Sequence, residues 1–323
     1  MIVITLKRPE VLRRCLKCLR GQVPAPDQII VVDASPDDLS RRVCEEEMAD
    51  FPDFLYLRNE NGFGRMTHSR NIGLRHAKGG VIAFLDDDAF AHPGWAQNLL
   101  DTYIQNPVQD GESKPLGAVG GRALNGQPNE EHEGKELIGK LLSDGRLMGF
   151  FAADPGRIIE VDHIMGCNMS FRRETLAKLG GFREDYPGIS GVREDSDMCL
   201  RVQRAGYRLL FNPQAVVDHI GAPQAIGRRF DQRYEFYSQR NHLVLLLSNK
   251  DAGVFFRYLA GSLVRATITC ARQMAGALVR WGAVMLGTVM GLYSAAVALQ
   301  RRGRKPERTD DQAEELRRIL SEK

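Results

Sequence analysis

Three things are scarce in this chain, and each scarcity removes a class of protein. Charge of one sign is the first: 44 Lys and Arg against 41 Asp and Glu leave a formal +3 over 323 residues. Such a balance gives no basic stripe, so a nucleic-acid partner is not expected. Cysteine is the second. Cys15, Cys18, Cys44, Cys167, Cys199 and Cys270 are scattered, which reads as reduced thiols rather than a disulfide framework. Cys15 and Cys18 have metal-ligand spacing, but they lie in an amphipathic helical pattern without a second pair, and core packing is expected of them. The third is a leader or phosphate loop near the start. Met1 to Thr5 already reads as a strand, with no basic and apolar segment ahead of it, so no secretory signal is expected and the body is placed in the cytoplasm. Leu6-Lys7-Arg8-Pro9 after that strand is not a Gly-rich loop with a lysine, which counts against a nucleotidyltransferase.

What is present is strand and helix in alternation. Ile2-Val3-Ile4, Ile29 to Val32, Phe54 to Leu57 and Val81 to Leu85 read as buried strands. Helices are expected from about Pro9 to Arg20, from the acidic turn after Asp33 to about Met48, and from about Arg65 to Lys78 after an Asn61-Gly62-Phe63-Gly64 loop. This pattern marks a parallel sheet with helices on its faces. A helix opening at His92-Pro93-Gly94-Trp95 would bury Trp95, Leu99, Leu100 and Tyr103. Residues 106 to 160 are less regular, with a strand expected over Leu116 to Arg122, and acceptor recognition is expected there. Regular pattern resumes in a strand from Asp162 to Phe171, a helix from Arg173 to Leu179, a helix entered through Gly191 to Asp195, and a strand Val216 to His219.

The stretch that carries chemistry is Val81 to Asp88. Five apolar residues run into Asp86-Asp87-Asp88, so a strand buried on both faces stops at three carboxylates. Along extended chain Asp86 and Asp88 point the same way, about 7 Å apart, and Asp87 the other. Two such carboxylates can hold a hard divalent cation together with a substrate's phosphates. They lie beyond the carboxyl end of a strand, where open α/β sheets place their ligands. Thr5, Asp33, Arg70 and Asn71 also follow strand ends or sit on the helix feeding this strand, so crossovers can gather them at one edge.

In family order, the chain carries Thr5 with Arg8-Pro9, Val31-Val32-Asp33, Ser69-Arg70-Asn71-Ile72-Gly73, Phe84-Leu85-Asp86-Asp87-Asp88, Gly166 to Phe171 with Gly180-Gly181-Phe182, and Glu194-Asp195 with Leu200-Arg201. Over Met1 to about Leu247 these resemble the inverting family 2 glycosyltransferases, particularly the bacterial enzymes that build polysaccharides and lipid-linked glycans. The resemblance implies a GT-A (Rossmann-like) α/β fold, a mixed sheet flanked by helices. It implies a nucleotide-diphosphate sugar donor (UDP, GDP or dTDP linked) bound through Mg²⁺ or Mn²⁺, and a glycan or lipid-linked acceptor. Asp88 and Asp86, with His219, match the metal end. Thr5, Arg8, Asp33, Arg70, Asp86 and Asp87 match nucleotide contacts, Gly166 and Asn168 substrate contacts, and Asp195 the catalytic base with Glu194 assisting. A single base and a cation suffice for inverting transfer, and no nucleophile for a covalent intermediate is evident. A non-catalytic partner of a polysaccharide assembly complex is the alternative, disfavoured by the presence of both Asp88 and Asp195.

Past Ala252 the composition changes. Arg257, Arg265, Arg272 and Arg280 recur at intervals of eight, seven and eight, which keeps them on one helix face opposite apolar residues, as on a membrane-surface helix. Trp281 to Leu299 is nineteen residues without a charge, followed by Arg301, Arg302, Arg304 and Lys305. An interfacial hairpin is favoured over a membrane span, with a buried helix of a homo-oligomer interface as the other reading. The expected organisation is therefore a domain at 1–250, divided into a nucleotide-binding half (1–105) and an acceptor half (106–250), then a membrane-associated helical region (251–305) at the cytoplasmic face and a charged tail (306–323) that is helical or disordered.

Overall fold

The computed structural model describes residues 1–60, 66–108, 114–184, 186, 192–221, 232–272, 277–301 and 308–322. The expected Asn61–Gly64 loop and Gly191 lie outside them. β1 (Ile2–Thr5), α1 (Pro9–Arg20), β2 (Ile29–Asp33), α2 (Leu39–Glu47), β3 (Phe54–Arg58), α3 (Met66–His76) and β4 (Val81–Asp86) alternate as the sequence pattern requires. β3, β2, β1 and β4 lie side by side, all parallel. Chain reversal then begins. β5 (Ala89–Ala91) and α4 (Trp95–Gln105) follow, then β6 (Leu116–Leu124), a short hairpin of β7 (Lys140–Leu141) and β8 (Leu147–Met148), β9 (Ile159–Val161), β10 (Asn168–Arg172), α5 (Arg173–Leu179), α6 (Glu194–Arg204) and β11 (Arg208–His219). β10 inserts antiparallel between β4 and β6, and β11 pairs parallel with β6 and antiparallel with β5 and β9. The sheet is mixed, in the order β3-β2-β1-β4-β10-β6-β11-β5.

Side-chain alternation divides the core in two. Ile2, Ile4, Ile82 and Phe84 join Leu74 of α3, Leu176 of α5 and Met198 of α6 on one face. Val3, Val31, Ala83 and Leu85 join Leu12 and Leu16 of α1, Cys44 of α2 and Trp95 of α4 on the other. Strands buried on both faces read as unbroken apolar runs for this reason. Cys15 is wholly buried in the second cluster and Cys18 packs against it, both as free thiols, in line with core packing.

Several expectations are corrected in detail. Leu100 is 39% exposed, while Trp95, Leu99 and Tyr103 are buried; positions i, i+4 and i+8 share a helix face, and Leu100 is turned about 100° from Leu99. The strand expected from Asp162 to Phe171 is extended only from Asn168, in β10; residues 162–167 link it to β9 through a turn in which Asn168 N–H reaches the Met165 carbonyl at 3.0 Å. The strand ending at His219 begins at Arg208, and a register shift between Asn212 and Val217 accommodates Pro213, which cannot donate to the ladder.

α7 (Gln232–Asn249), α8 (Ala252–Arg272) and α9 (Ala277–Arg301) form a helical appendage, with Leu243, Leu246 and Phe255 packing on Leu200 of α6 and on the β7–β8 hairpin. α9 lies on α7 through glycines: a Cβ at Gly287 would stand 2.7 Å from the Phe236 carbonyl oxygen, and one at Gly291 3.2 Å from that of Arg240. Gln239 donates to both Ser262 and Thr288 at 3.1 Å, pinning the three helices together. Among the described residues no helix is long and apolar enough to cross a membrane; the side chains of residues 295–300, the end of the uncharged run 281–299, lie outside them. Of the arginine series, Arg257 and Arg265 are described, and the side chains of Arg272, Arg280, Arg301, Arg302, Arg304 and Lys305 lie outside the described residues. The C-terminal segment is not a free tail. α10 (Arg308–Glu322) buries Leu316 and Leu320 in the first core cluster, against α5 and α3.

Candidate active site

The acidic strand end is built as its alternation requires. Asp87 turns inward and is fully buried, accepting from Thr5 Oγ1 at 2.6 Å and pairing with Arg8 Nη2 at 2.6 Å. Arg8 Nη1 reaches Asp88 Oδ2 at 3.1 Å. Burial pushes the Asp87 carboxyl up to about 7 even though Arg8 and Thr5 oppose it. Thr5 and Arg8 are thus committed to holding the acids.

Asp86 and Asp88 turn the other way, and β5 brings them a third group. The three residues Ala89 to Ala91 were not foreseen as a strand, yet they set His219 opposite Ala89 and so beside Asp88, with Nε2 3.5 Å from Oδ1. One ligand atom from each of Asp86, Asp88 and His219 lies within 4.8 Å of the others. His219 is buried, and its Nδ1 has no hydrogen-bond partner. Burial acts to lower its pKa, and Cys167 and Asp88 overcome this, raising it to about 10. Two carboxylates and an imidazole converging at a strand edge fit a divalent cation.

Arg70 joins this cluster to α6. Its side chain is 1% exposed, with Nη2 3.3 Å from Asp86 and Nη1 3.0 Å from Glu194. The expected phosphate contact is therefore not how Arg70 is seated: both ends of its fork meet carboxylates, as a buried guanidinium requires. Burial, and then Asp195, push Glu194 up to about 8 against the pull of Arg70. Asp195 itself accepts from the Gly166 N–H at 3.0 Å and from the Ser196 N–H at 2.6 Å, with Ser196 Oγ at 3.2 Å. Gly166 is tight against both partners, since a Cβ there would stand 3.1 Å from Arg70 Nη2 and 3.4 Å from Asp195 Oδ2.

Two expected contacts belong to the scaffold as the protein is built. Asn168 is fully buried; it accepts from Trp95 Nε1 and donates to the carbonyls of Arg122 and Ala215, each at 2.9 Å. All of its side-chain polar atoms are engaged, so it joins α4, β6 and β11. Asp33 is also fully buried, accepting from Ser35 N–H at 2.7 Å and Tyr56 OH at 2.8 Å, and in this seat it shapes the turn after β2. The pattern reading passed over Ser196 and His163, whose Nδ1 lies 3.4 Å from Ser196 Oγ. Burial, outweighing Asp195, lowers His163 to about 4.

Residues 1–180 match the family model described as glycosyl transferase family 2, and residues 135–299 match that of glycosyl transferase family group 2. The glucosyl-dolichyl phosphate glucuronosyltransferase of Haloferax volcanii is 27% identical over 72% of this chain and 69% of its own length. The chondroitin synthase of Escherichia coli is 24% identical over 64% of this chain, which spans about a third (32%) of that protein. Among solved structures, a mannosyltransferase from Pyrobaculum calidifontis in complex with GDP-Man and Mn²⁺ aligns over 99% of this chain and 84% of its own, with a TM-score of 0.55 at 17% identity. S. aureus TarS 1–349 in complex with UDP-GlcNAc covers 99% of this chain and 89% of its own, with a TM-score of 0.57 at 13% identity. At those identities the structural likeness shows the shared GT-A fold, and the family rests on the sequence match: the chain belongs to glycosyl transferase family 2.

Proposed function

We propose that this glycosyltransferase works with inversion, passing a sugar from a nucleotide-diphosphate donor to a lipid-linked glycan acceptor, with Asp195 as the base. The observation that carries the reading is the line Asp88–Asp86–Arg70–Glu194, with Asp195 adjoining. It ties a carboxylate-imidazole cluster to an acid held by two backbone N–H groups. Asp86, Asp88 and His219 would hold Mn²⁺ or Mg²⁺, and when bound such a cation offsets the charge of a departing diphosphate. Asp195 takes the proton of an acceptor hydroxyl as its oxygen bonds to the anomeric carbon and the bond to the diphosphate breaks. Thr5, Arg8 and Arg70 keep the acids in position, and Asp33 lies at the end of the neighbouring strand, on the side proposed for the base.

A lipid-linked acceptor is favoured by the Haloferax relative, whose name specifies a dolichyl phosphate sugar. It is also favoured by the appendage. Phe256, Val264 and Ile268 of α8 and Leu286, Val289 and Tyr293 of α9 are 46–65% exposed. From Ala252 to Pro306 the sequence has no Asp or Glu but eight basic residues: Arg257, Arg265, Arg272, Arg280, Arg301, Arg302, Arg304 and Lys305. Exposed apolar residues in a segment whose charges are all positive suit the anionic cytoplasmic face of a membrane.

The test is calorimetric titration of UDP, GDP and dTDP with and without Mn²⁺, on wild type and Asp195→Asn. One diphosphate is expected to bind only with metal, equally to both proteins, while the variant's transfer rate falls about 10²–10⁴-fold. Undiminished turnover by Asp195→Asn would sink the base assignment.

A further inference from the structure

Two residues before Asp195 stands an arginine with no paired carboxylate among the described residues. Arg193 occupies the position just outside α6 with φ +78°, a left-handed conformation uncommon for a residue bearing a Cβ. α7 holds it there. The buried Asn241 donates to the Val192 carbonyl at 3.0 Å, and Arg193 Nη2 reaches Ser238 Oγ at 3.5 Å. Its Nε is buried without a hydrogen-bond partner, and among the described residues no carboxylate pairs with it. A half-buried guanidinium in this condition is costly, because its desolvation is not repaid by a counter-charge.

What surrounds Arg193 does not supply that counter-charge. Its field reaches three groups. His163 and His242 are held neutral, by burial first and by Arg193 among the further causes. Tyr258 of α8 is the third, and its raised pKa, driven by burial, is opposed by Arg193 and Arg265. Arg265, also without a paired carboxylate among the described residues, lies over the Tyr258 ring at 5.7 Å. His242 stacks on the same ring at 4.1 Å, and its own Nδ1 is buried with no partner. Asp144, whose pKa Arg265 helps to lower, pairs with Arg146 at 2.7 Å. Two guanidinium charges and an unsatisfied buried imidazole nitrogen therefore meet around one tyrosine where α6, α7 and α8 join, between the proposed base and the helix that exposes Phe256.

We infer that Arg193 seats the phosphate of a lipid-phosphate acceptor, with the sugar hydroxyl reaching Asp195 and the lipid leaving along α8. This rests on the transferase reading and names the acceptor class for it. The fit is chemical: the phosphodiester that joins a lipid to its sugar brings the negative charge and acceptor oxygens that a guanidinium fork lacks here, and farnesyl phosphate presents the lipid and phosphate part of it. It is also positional, since residue 193 immediately precedes the Glu194-Asp195 pair on one side and touches the appendage on the other.

Farnesyl phosphate, farnesol and inorganic phosphate serve as probes, titrated into the full chain and its Arg193→Gln and Arg193→Lys variants. The nucleoside diphosphate that binds with Mn²⁺ is titrated alongside as the control for fold and donor site. Farnesyl phosphate is expected to bind wild type, and to lose about tenfold or more in Arg193→Gln, the worth of a charge-assisted hydrogen bond. Arg193→Lys should keep most of the affinity. Farnesol should bind far more weakly, and the nucleotide should bind all three proteins alike. Unchanged farnesyl phosphate affinity in Arg193→Gln, beside intact nucleotide binding, overturns the phosphate site alone. Inorganic phosphate binding as tightly as farnesyl phosphate, or farnesol binding equally, overturns the lipid-phosphate assignment. Absence of nucleotide binding by wild type removes the transferase reading and this inference with it.

Discussion

Arg8 and Asp87 illustrate how a side chain can matter to a cation it never touches. Asp87 has no path to solvent, so its pairing with Arg8 and its bond from Thr5 serve to fix the strand end on which Asp86 and Asp88 ride. Groups that orient metal ligands typically contribute 10–100-fold to affinity. Arg8→Ala is accordingly expected to weaken Mn²⁺-dependent nucleotide binding by about that factor, and Asp88→Ala by no less. Calorimetry with and without EDTA measures both; an Arg8→Ala protein that binds like wild type would show the brace to be dispensable. Alternation along β4 made the division between Asp87 and its neighbours legible in the sequence. The roles of Arg70 and Asn168 were not, because both depend on what faces them across more than sixty residues of chain: Arg70 meets Glu194, and Asn168 meets Trp95.

Among the elements, the buried strands β1, β2 and β4 and the helix α1 were legible because their apolar periodicity is local. β5 was not, since three residues carry no period, and its pairing with β11 is what delivers His219. The helix α10 was one of two readings of the tail, and its docking on the core was not foreseen, for a related reason. Its sequence is charged, and only Leu316 and Leu320, four apart, mark a buried stripe, at 1% and 2% exposure. Its docking has a measurable consequence: Leu316→Ala should cost about 2–4 kcal/mol of stability, read as a lowered urea midpoint. A change within about 0.5 kcal/mol, the range of surface substitutions, would mean that α10 does not hold its place on α5.

For the whole molecule, the buried neutral histidines set an acid limit. Unfolded, His163 and His242 would each take up a proton near pH 6.5; folded, both are held below that value, His163 at about 4. Their contribution to stability is therefore complete above pH 6.5 and declines as pH falls toward 4, by about 1.4 kcal/mol per pH unit for each proton that the unfolded chain binds and the native one does not. Urea unfolding of wild type and His163→Gln from pH 7.5 to 4.5 should give a shallower decline in the variant. Parallel curves would mean that His163 titrates normally in the fold. The chain's only two tryptophans allow fold and surface to be followed separately in one cuvette. Trp95 is 1% exposed and hydrogen-bonded in the sheet core, whereas Trp281 is 37% exposed on the outer side of α9. Mixing with phosphatidylglycerol vesicles should blue-shift and shield from iodide only the emission that Trp281→Phe removes, while the Trp95 signal stays constant until the protein unfolds. An unchanged Trp281 spectrum would place the membrane elsewhere on the molecule. The positions of two indole rings thus make the native chain its own optical probe, with no label attached.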